Sequence, residues 1–437
     1  MRKIAFFTLG CKVNQSETEA LQAEFREKGY QIVDFSDQAS VYIINTCTVT
    51  HLADRKSRSM IRRALKTNPE AKVVVMGCYA QTNAAAIAKI KGVELIVGTK
   101  EKGNLVARVE ELLSGKIKSF PEVHVADLES KLDFTELKTP TEIERSRAYL
   151  KVQDGCNQYC AYCIIPDARG PVRSRSWENT LLEAQRLIKA GFKEIVLVGI
   201  HLGVYGQDDA GRNLAALMAN LLSLDPNVRW RLGSLEPLEV SEELIDLLSV
   251  DNFCAHLHLP LQSGADQVLK AMCRPYTVKQ YVEVINKIRE KVPEIAITTD
   301  LMVGFPGETL ADFQAGLNLV EELKFSKLHV FKYSPRRGTP AAKFPKQVSA
   351  VEKEKRSREM IHLGERLAEE YAAKFLGKKL AVLVEKRLKN NFWEGSSEQY
   401  LKVKFNSALE LRGQIVPVHL KQVKADLCIG DMMLKGV

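Results

Sequence analysis

Nine cysteines occur in the chain, and six stand in patterns that chemistry can use. Cys156, Cys160 and Cys163 lie within "DGCNQYCAYCIIP" (154–166), a C-x3-C-x2-C run with no fourth cysteine nearby. A structural zinc takes four ligands, commonly from paired cysteines. Ferredoxin clusters also take four thiolates. Three thiolates leave one coordination position open, as a catalytic metal site does and a closed structural site does not. A second set follows the same arithmetic. Cys11, Cys47 and Cys78 each come directly after an apolar β-type run: "KIAFFTLG" (3–10), "VYIINT" (41–46) and "KVVVMG" (72–77). The first 150 residues hold no other cysteine.

These runs alternate with helical patterns. Ala20, Leu21 and Phe25 fall at helical spacing after the first strand, and further helices are expected from Thr50 to about Asn68 and from Ala80 to about Ile90. Alternating strands and helices predict a parallel α/β sheet. Its strands all present their carboxyl ends at one edge, where ligands bind. The three thiols therefore converge at one site. A polar stretch with two prolines follows, read as a connection. Strand–helix alternation then resumes with "AYLKVQDG", "EIVLVGI", "VRWRLGSL", "HLHLPLQ", "IAITTDLMVG" and "KLHVFKYS", with helices over 178–190 and 277–291 among them. Six such units predict a partial (β/α)6 barrel whose active site is built from the loops after its strands. The second cysteine triad falls after the first of these strands. The motifs "GIHLGVYG", "GSLEP", "LPLQSG", "DLMVGFPGET" and "YSPRRGT" fall after the others. The end of the chain reads as short strands of a small all-β, OB-like domain. The expected division is 1–115, a linker 116–147, a barrel 148–373 and a small domain 374–437.

Composition narrows the class. The chain is 437 residues long, 45% hydrophobic and 27% charged, with a formal net charge of +9, the profile of an ordinary globular protein. No apolar run approaches the length needed to span a bilayer. The basic, apolar start lacks a cleavage site and reads as a first strand. A cytoplasmic location is expected, where thiols stay reduced and nine cysteines point to metal or redox chemistry. Residues 374–437 carry 12 lysines and arginines against 6 acids, a net of +6 that is two-thirds of the chain's excess. A small basic β-barrel is a common RNA-binding device. A second basic run, "ADRKSRSMIRRALK" (53–66), follows Cys47 on a helix.

The run C-x3-C-x-aromatic-C, with Tyr162 as its aromatic, resembles the signature of the radical S-adenosylmethionine (SAM) enzymes. "TLGCKVNQSE", "NTCTVT" and "VMGCYAQ" resemble the amino-terminal domain of their methylthiotransferase family. "SRAYLKVQDGCNQYCAYCIIPDARGPVRSR", "RLGSLEP", "HLPLQSG", "TTDLMVGFPGET" and "YSPRRGTPA" are similar to its barrel, and the tail resembles a TRAM domain. The likeness spans essentially the whole chain. It implies an auxiliary [4Fe–4S] cluster on Cys11, Cys47 and Cys78, and a radical cluster on Cys156, Cys160 and Cys163. It implies SAM as both methyl donor and radical source, with both clusters facing one substrate. Inserting S–CH3 into an unactivated C–H bond needs a radical to remove the hydrogen and a second centre to present sulfur. An open cubane of low potential requires a strong reductant, such as a flavodoxin or ferredoxin.

The family divides by substrate. "GCKVNQSE" and "GIHLGVYG", with Lys12 and His201, resemble the branch acting at C2 of threonylcarbamoyl-adenosine, position 37 of tRNA, beside the anticodon. The other branches act on isopentenyl-adenosine in tRNA or on an aspartate of a ribosomal protein. The threonylcarbamoyl group carries a carboxylate, and Arg336 and Arg337 offer cations at a strand end, with phosphate as the alternative partner. Tyr162 is a candidate to pack on the adenine of SAM. Gly199, Ser234, Glu236, Gln262 and Asp300, at successive strand ends, are candidates for its methionyl and ribose groups. Gly304 and Gly307 permit close backbone approach. His201 and His258 read equally as supporting or core residues. Cys254, Cys273 and Cys428 read as structural. An RNA-binding protein with structural zinc sites is the competing class.

Overall fold

The computed structural model describes residues 2–116, 119–128, 133–141, 145–208, 211–424 and 427–433. Parts of the expected linker (117–118, 129–132, 142–144) and of the expected small domain (425–426, 434–437) lie outside the described residues. By compactness the chain forms two units. Unit 1 comprises Met1–Pro140, Lys151–Ser176 and Ser334–Ala342; unit 2 comprises Thr141–Leu150, Trp177–Tyr333 and Lys343–Val437. The segment bearing Cys156, Cys160 and Cys163 thus groups with the amino-terminal sheet, across the boundaries expected from sequence.

Unit 1 is built on six strands in the order Gln31–Val33, Lys3–Thr8, Val41–Thr46, Lys72–Gly77, Val93–Val97, Glu122–His124. Every pairing is parallel. "VYIINT" is buried at all six positions, as expected of a parallel strand covered on both faces. Alternation divides its side chains between two cores. Tyr42, Ile44, Val73 and Val75 pack against Met60, Ile61 and Ala64 of helix His51–Thr67 and against Ile87 of helix Cys78–Ala88. Val41, Ile43, Val74 and Met76 pack against Leu21 and Phe25 of helix Lys12–Glu27 and against Val109 and Leu112 of helix Leu105–Leu113. Strand order reverses between Lys3–Thr8 and Val41–Thr46. That switch point is where doubly wound sheets open a ligand crevice, and Cys11 and Cys47 follow these two strands.

In unit 2 two three-stranded sheets run Ala148–Lys151, Glu194–Val198, Arg229–Leu232 and His256–His258, Ala296–Val303, Lys327–Lys332. Parallel bridges Trp230–Phe253 and Ser234–His258 join the two halves into a six-stranded open barrel. The long helix Ala350–Ala373 leads into a closed five-stranded barrel of Lys379–Arg387, Phe392–Ser396, Lys402–Asn406, Leu427–Met432 and Ile415–Lys424. Its core of Val382, Trp393, Val403, Phe405 and Val418 is continuous with Tyr371 and Phe375. A buried ion cluster sits beneath it. Glu194 pairs with Arg147, Arg229 and Arg231. Arg229 donates onward to the carbonyls of Ala381 and Ser396, and Arg231 to those of Ser397 and Glu398. No described helix is long and apolar enough to cross a membrane.

Candidate active site

The first triad is made by three strand ends. Gly10, at φ +103°, turns the chain so that Cys11 caps helix Lys12–Glu27. A Cβ on Gly10 would lie 3.0 Å from the Cys47 Cβ and 3.2 Å from its Sγ, so Gly10 allows the first two strand ends to approach. Gly77, at φ +99°, turns the third strand into the helix that Cys78 opens. A Cβ there would meet Asn45 Oδ1 at 2.5 Å. Asn14 ties the first two strand ends together, donating to the carbonyls of Leu9 (2.8 Å) and Thr46 (3.1 Å).

The three thiols lie within electrostatic reach of one another. Burial raises the Cys11 thiol, Arg169 opposes that, and Cys78 adds to it. Cys11 keeps solvent-exposed surface. Burial pushes Cys47 up to about 11, against backbone N–H bonds from Val49 and Thr48, and Cys78 and Cys11 push it further. Thiols so placed are reluctant to ionise unaided, while the amides aimed at Cys47 favour the thiolate.

The second triad rides on a loop clamped at its base. Gln153–Asp154 pairs antiparallel with Arg173–Ser174. The Asp154 carboxylate accepts the Gly155 amide at 2.8 Å, and the Cys156 amide donates to Gly170 O at 3.0 Å. Gly155 has φ +75°, and a Cβ there would sit 1.9 Å from Pro171 O. Within the loop the Gln158 amide points at Cys156 Sγ and the Ile165 amide at Cys163 Sγ, both at 3.4 Å. Cys160 is buried, while Cys156, Tyr162 and Cys163 are half-buried. Amide donors to sulfur are a recurrent feature of iron–sulfur ligation, where they tune the potential. Each triad thus has backbone amides aimed at two of its thiols, Cys11 and Cys47 in the first and Cys156 and Cys163 in the second, chemistry that suits iron–sulfur ligation. Among the described residues no three His, Cys, Asp or Glu side chains close around a single ion; a cubane is gripped at its corners and asks for wider spacing.

Unit 2 holds the other candidate cofactor residues. Gly199 is half-buried after strand Glu194–Val198, and Ser234 is exposed after Arg229–Leu232. Glu236 is ion-paired with Arg274, and burial raises its carboxyl despite that partner. Gln262 adopts φ +63°, a left-handed conformation unusual for a side chain of its size. Its amide donates to Asp300 O and its carbonyl accepts from the Met302 amide, both at 2.9 Å. The Asp300 carboxylate lies 3.3 Å from His258 Nε2, whose Nδ1 contacts Thr298 Oγ1 at 2.9 Å. The fold thus brings Gln262, Asp300 and His258 together, and Ser234 bridges to His258. His201 pairs with Glu239. Tyr162 belongs to unit 1.

Two placements differ from the sequence reading, those of Arg336 and Cys273. Arg336 is 3% exposed and its two terminal nitrogens bind Asp54 and Thr48, so its charge is engaged inside unit 1 rather than presented to a ligand. Arg337 is exposed. Cys273 is also exposed, at φ +58°, and does not pack in a core as Cys254 and Cys428 do. The sequence reading passed over the buried group of Asn14, Glu17, Lys102, Lys151, Asp154 and Arg169. Its one legible trace is Glu17, which interrupts the stripe Val13, Glu17, Leu21 on the buried face of its helix.

Residues 3–98 match the family described as uncharacterized protein family UPF0004, and residues 150–320 match the radical SAM superfamily. The solved radical SAM methyltransferase TsrM from Kitasatospora setae shares the fold, with TM-score 0.57 at 14% identity over 90% of this chain and 77% of that one. The class is therefore a radical SAM enzyme. The threonylcarbamoyladenosine tRNA methylthiotransferase MtaB of Bacillus subtilis is 42% identical over 96% of this chain and 94% of its own length. Its namesake in Aquifex aeolicus is 40% identical, over 92% and 98%. The tRNA-2-methylthio-N(6)-dimethylallyladenosine synthase of Bacillus subtilis is 34% identical, over 100% and 87%. The chain belongs to the radical SAM methylthiotransferase family and is an enzyme of that type.

Proposed function

We propose that this enzyme inserts a methylthio group at C2 of threonylcarbamoyl-adenosine 37 in tRNA. The observation that carries the reading is the pair of thiol triads in one unit, each set by glycines at strand or loop turns and served by backbone amides. Two [4Fe–4S] clusters are assigned, on Cys11, Cys47 and Cys78 and on Cys156, Cys160 and Cys163. When bound with SAM, these groups supply hydrogen abstraction and a methylated sulfur. The substrate branch is supported by the 42% and 40% identical relatives named for threonylcarbamoyladenosine.

The chain's own residues do the rest. Six thiolates hold the clusters. Gly199, Ser234, Glu236, Gln262 and Asp300 are assigned to the methionyl and ribose groups of SAM, with Tyr162 against its adenine. Arg274 and His258 orient the carboxylates of Glu236 and Asp300, and the strained Gln262 backbone is the kind of outlier that collects at ligand sites. Arg337 is assigned to the substrate carboxylate. Helix His51–Thr67 exposes Arg55, Lys56, Arg62, Arg63 and Lys66, while its one acid, Asp54, is buried. That face and the basic carboxyl-terminal barrel are assigned to the phosphates of the anticodon stem-loop. A flavodoxin- or ferredoxin-type donor supplies the electron, in the cytoplasm.

The test is anaerobic reconstitution with iron, sulfide and SAM, followed by two tRNAs, one with threonylcarbamoyl-adenosine and one with isopentenyl-adenosine. Digested nucleosides are then weighed. A gain of one methylthio group on the first alone is expected. A gain on the second alone would transfer the enzyme to the dimethylallyl branch, whose named relatives are 31–35% identical.

A further inference from the structure

Behind the first triad lies a buried ionic cluster that ligation itself does not require. The Arg169 side chain is fully buried. Its Nη1 donates to Glu17 Oε1 at 2.6 Å and to both Asp154 oxygens at 3.2 Å, and its Nη2 to Asn14 Oδ1. Lys151 Nζ lies 2.7 Å from Glu17 Oε1 and 2.7 Å from Asp154 Oδ2. Arg173 reaches Asp154 Oδ2 at 3.0 Å, and Lys102 pairs with Glu17. All these side chains belong to unit 1 and are at most one-tenth exposed. Two carboxylates face four cations, so the cluster carries a surplus of two positive charges.

Buried charge that lacks a partner is costly. The groups on which this surplus acts are the thiols. Asn14 Oδ1 accepts from the Arg169 guanidinium and, at 3.9 Å, from the Cys11 thiol, so the cluster and the first triad share one oxygen. The same guanidinium grips both the helix that Cys11 caps and Asp154, the residue that clamps the second loop. Asn14 passes that grip to the ends of the first two strands.

We infer that Lys102, Lys151, Arg169 and Arg173, held in place by Glu17 and Asp154, are positioning residues that form a buried counter-charge for the cluster on Cys11, Cys47 and Cys78 and raise its reduction potential. Reduction adds a negative charge to that cluster, and a fixed positive surplus favours the reduced state. The inference rests on the reading of this triad as cluster ligands.

The test uses the full chain with Cys156, Cys160 and Cys163 replaced by alanine, so that one cluster remains. Iron and sulfide analysis of this background reports on the ligand reading alone. Lys102→Met lowers the surplus to one, Glu17→Gln raises it to three, and the double variant restores two. Midpoint potential by spectroscopic titration and the rate of iron release to a chelator are measured for each. The expected result is a lower potential and faster iron loss in Lys102→Met, a higher potential in Glu17→Gln, and a double variant near the parent. If Lys102→Met fails to fold, Arg173→Gln takes its place in the series. Iron bound in all variants with potentials that do not follow net charge would overturn the inference and leave the ligand reading intact. No iron in the background would overturn both.

Discussion

Asp54 is the only acid of its helix and is buried beside Cys47's strand end, hydrogen-bonded to Thr48 Oγ1 at 2.9 Å and ion-paired to Arg336. Removing one partner of a buried pair leaves a charge without compensation, at about 3–5 kcal/mol. Arg336→Met is therefore expected to lower the urea midpoint substantially, with Asp54→Asn in the same chain recovering part of the loss. Arg337→Ala should change stability by no more than about 0.5 kcal/mol and raise KM for the modified tRNA. Equal stability loss in both variants would refute this division. In the sequence the two arginines are indistinguishable: both follow the same strand in "YSPRRGT". Their roles separate because one finds a partner 282 residues away, and no local pattern announces a pairing at that distance. The cysteines stood out in the sequence for two reasons: Cys156, Cys160 and Cys163 by their short spacing, and Cys11, Cys47 and Cys78 because each directly follows an apolar strand.

At the scale of elements, the turns that carry the cysteines tolerate little. Gly155→Ala would force a Cβ to 1.9 Å from Pro171 O. Loss of the cluster on the second triad is expected, with about half the iron retained and SAM cleavage abolished. Iron assay and detection of 5′-deoxyadenosine check this. Gly77→Ala should do the reverse, sparing SAM cleavage and losing methylthio transfer, because it displaces Cys78 and leaves the second loop alone. The three cysteine-bearing strands of the sheet were readable from their apolar runs. The edge strands Gln31–Val33 and Glu122–His124 were not, since three residues show no period and pairing alone defines them. The strand Phe392–Ser396 escaped for another reason. Its "FWEGS" holds Gly395, where a Cβ would lie 2.2 Å from Leu383 O, and glycine in a strand marks close backbone approach while weakening the local signal.

For the whole molecule, charge is organised in two ways. Outside, the basic face of helix His51–Thr67 is predicted to act through phosphates. Arg62→Glu with Arg63→Glu should weaken tRNA binding and flatten its salt dependence, the slope falling by roughly 0.7–0.9 per lost contact. Filter binding at several salt concentrations measures this. Inside, burial raises Glu17, Asp154 and Glu194, but their cationic neighbours outweigh it, Arg169 foremost for the first two and Arg231 for the third, and hold all three below the usual range. A carboxyl depressed in the folded state stabilises it above the unfolded value of about 4 and loses that contribution as pH falls toward the folded one. Stability is therefore expected to be flat near neutrality and to fall steeply below about pH 4, as followed by circular dichroism. The sequence disclosed the outer pattern, because surface charge needs no partner. Of the inner one only Glu17 left a trace, an acid on an otherwise apolar helix face, and the sequence reading passed over it.

The attachment of the small barrel has an evolutionary corollary. Arg229 and Arg231 belong to strand Arg229–Leu232, yet they hydrogen-bond main-chain carbonyls at Ala381, Ser396, Ser397 and Glu398. Main-chain acceptors exist whatever the side chains, so much of the barrel's surface is free to diverge, while Glu385, paired with Arg147, and Tyr400, whose ring faces Arg231, keep side chains in the seat. A grafted tail from a relative would dock if its backbone followed the same path and it kept an acid and an aromatic ring at these two positions. A chain cut after residue 373 would instead expose a knot of arginines around Glu194. The small barrel is thus largely interchangeable in its sequence and inseparable in its attachment.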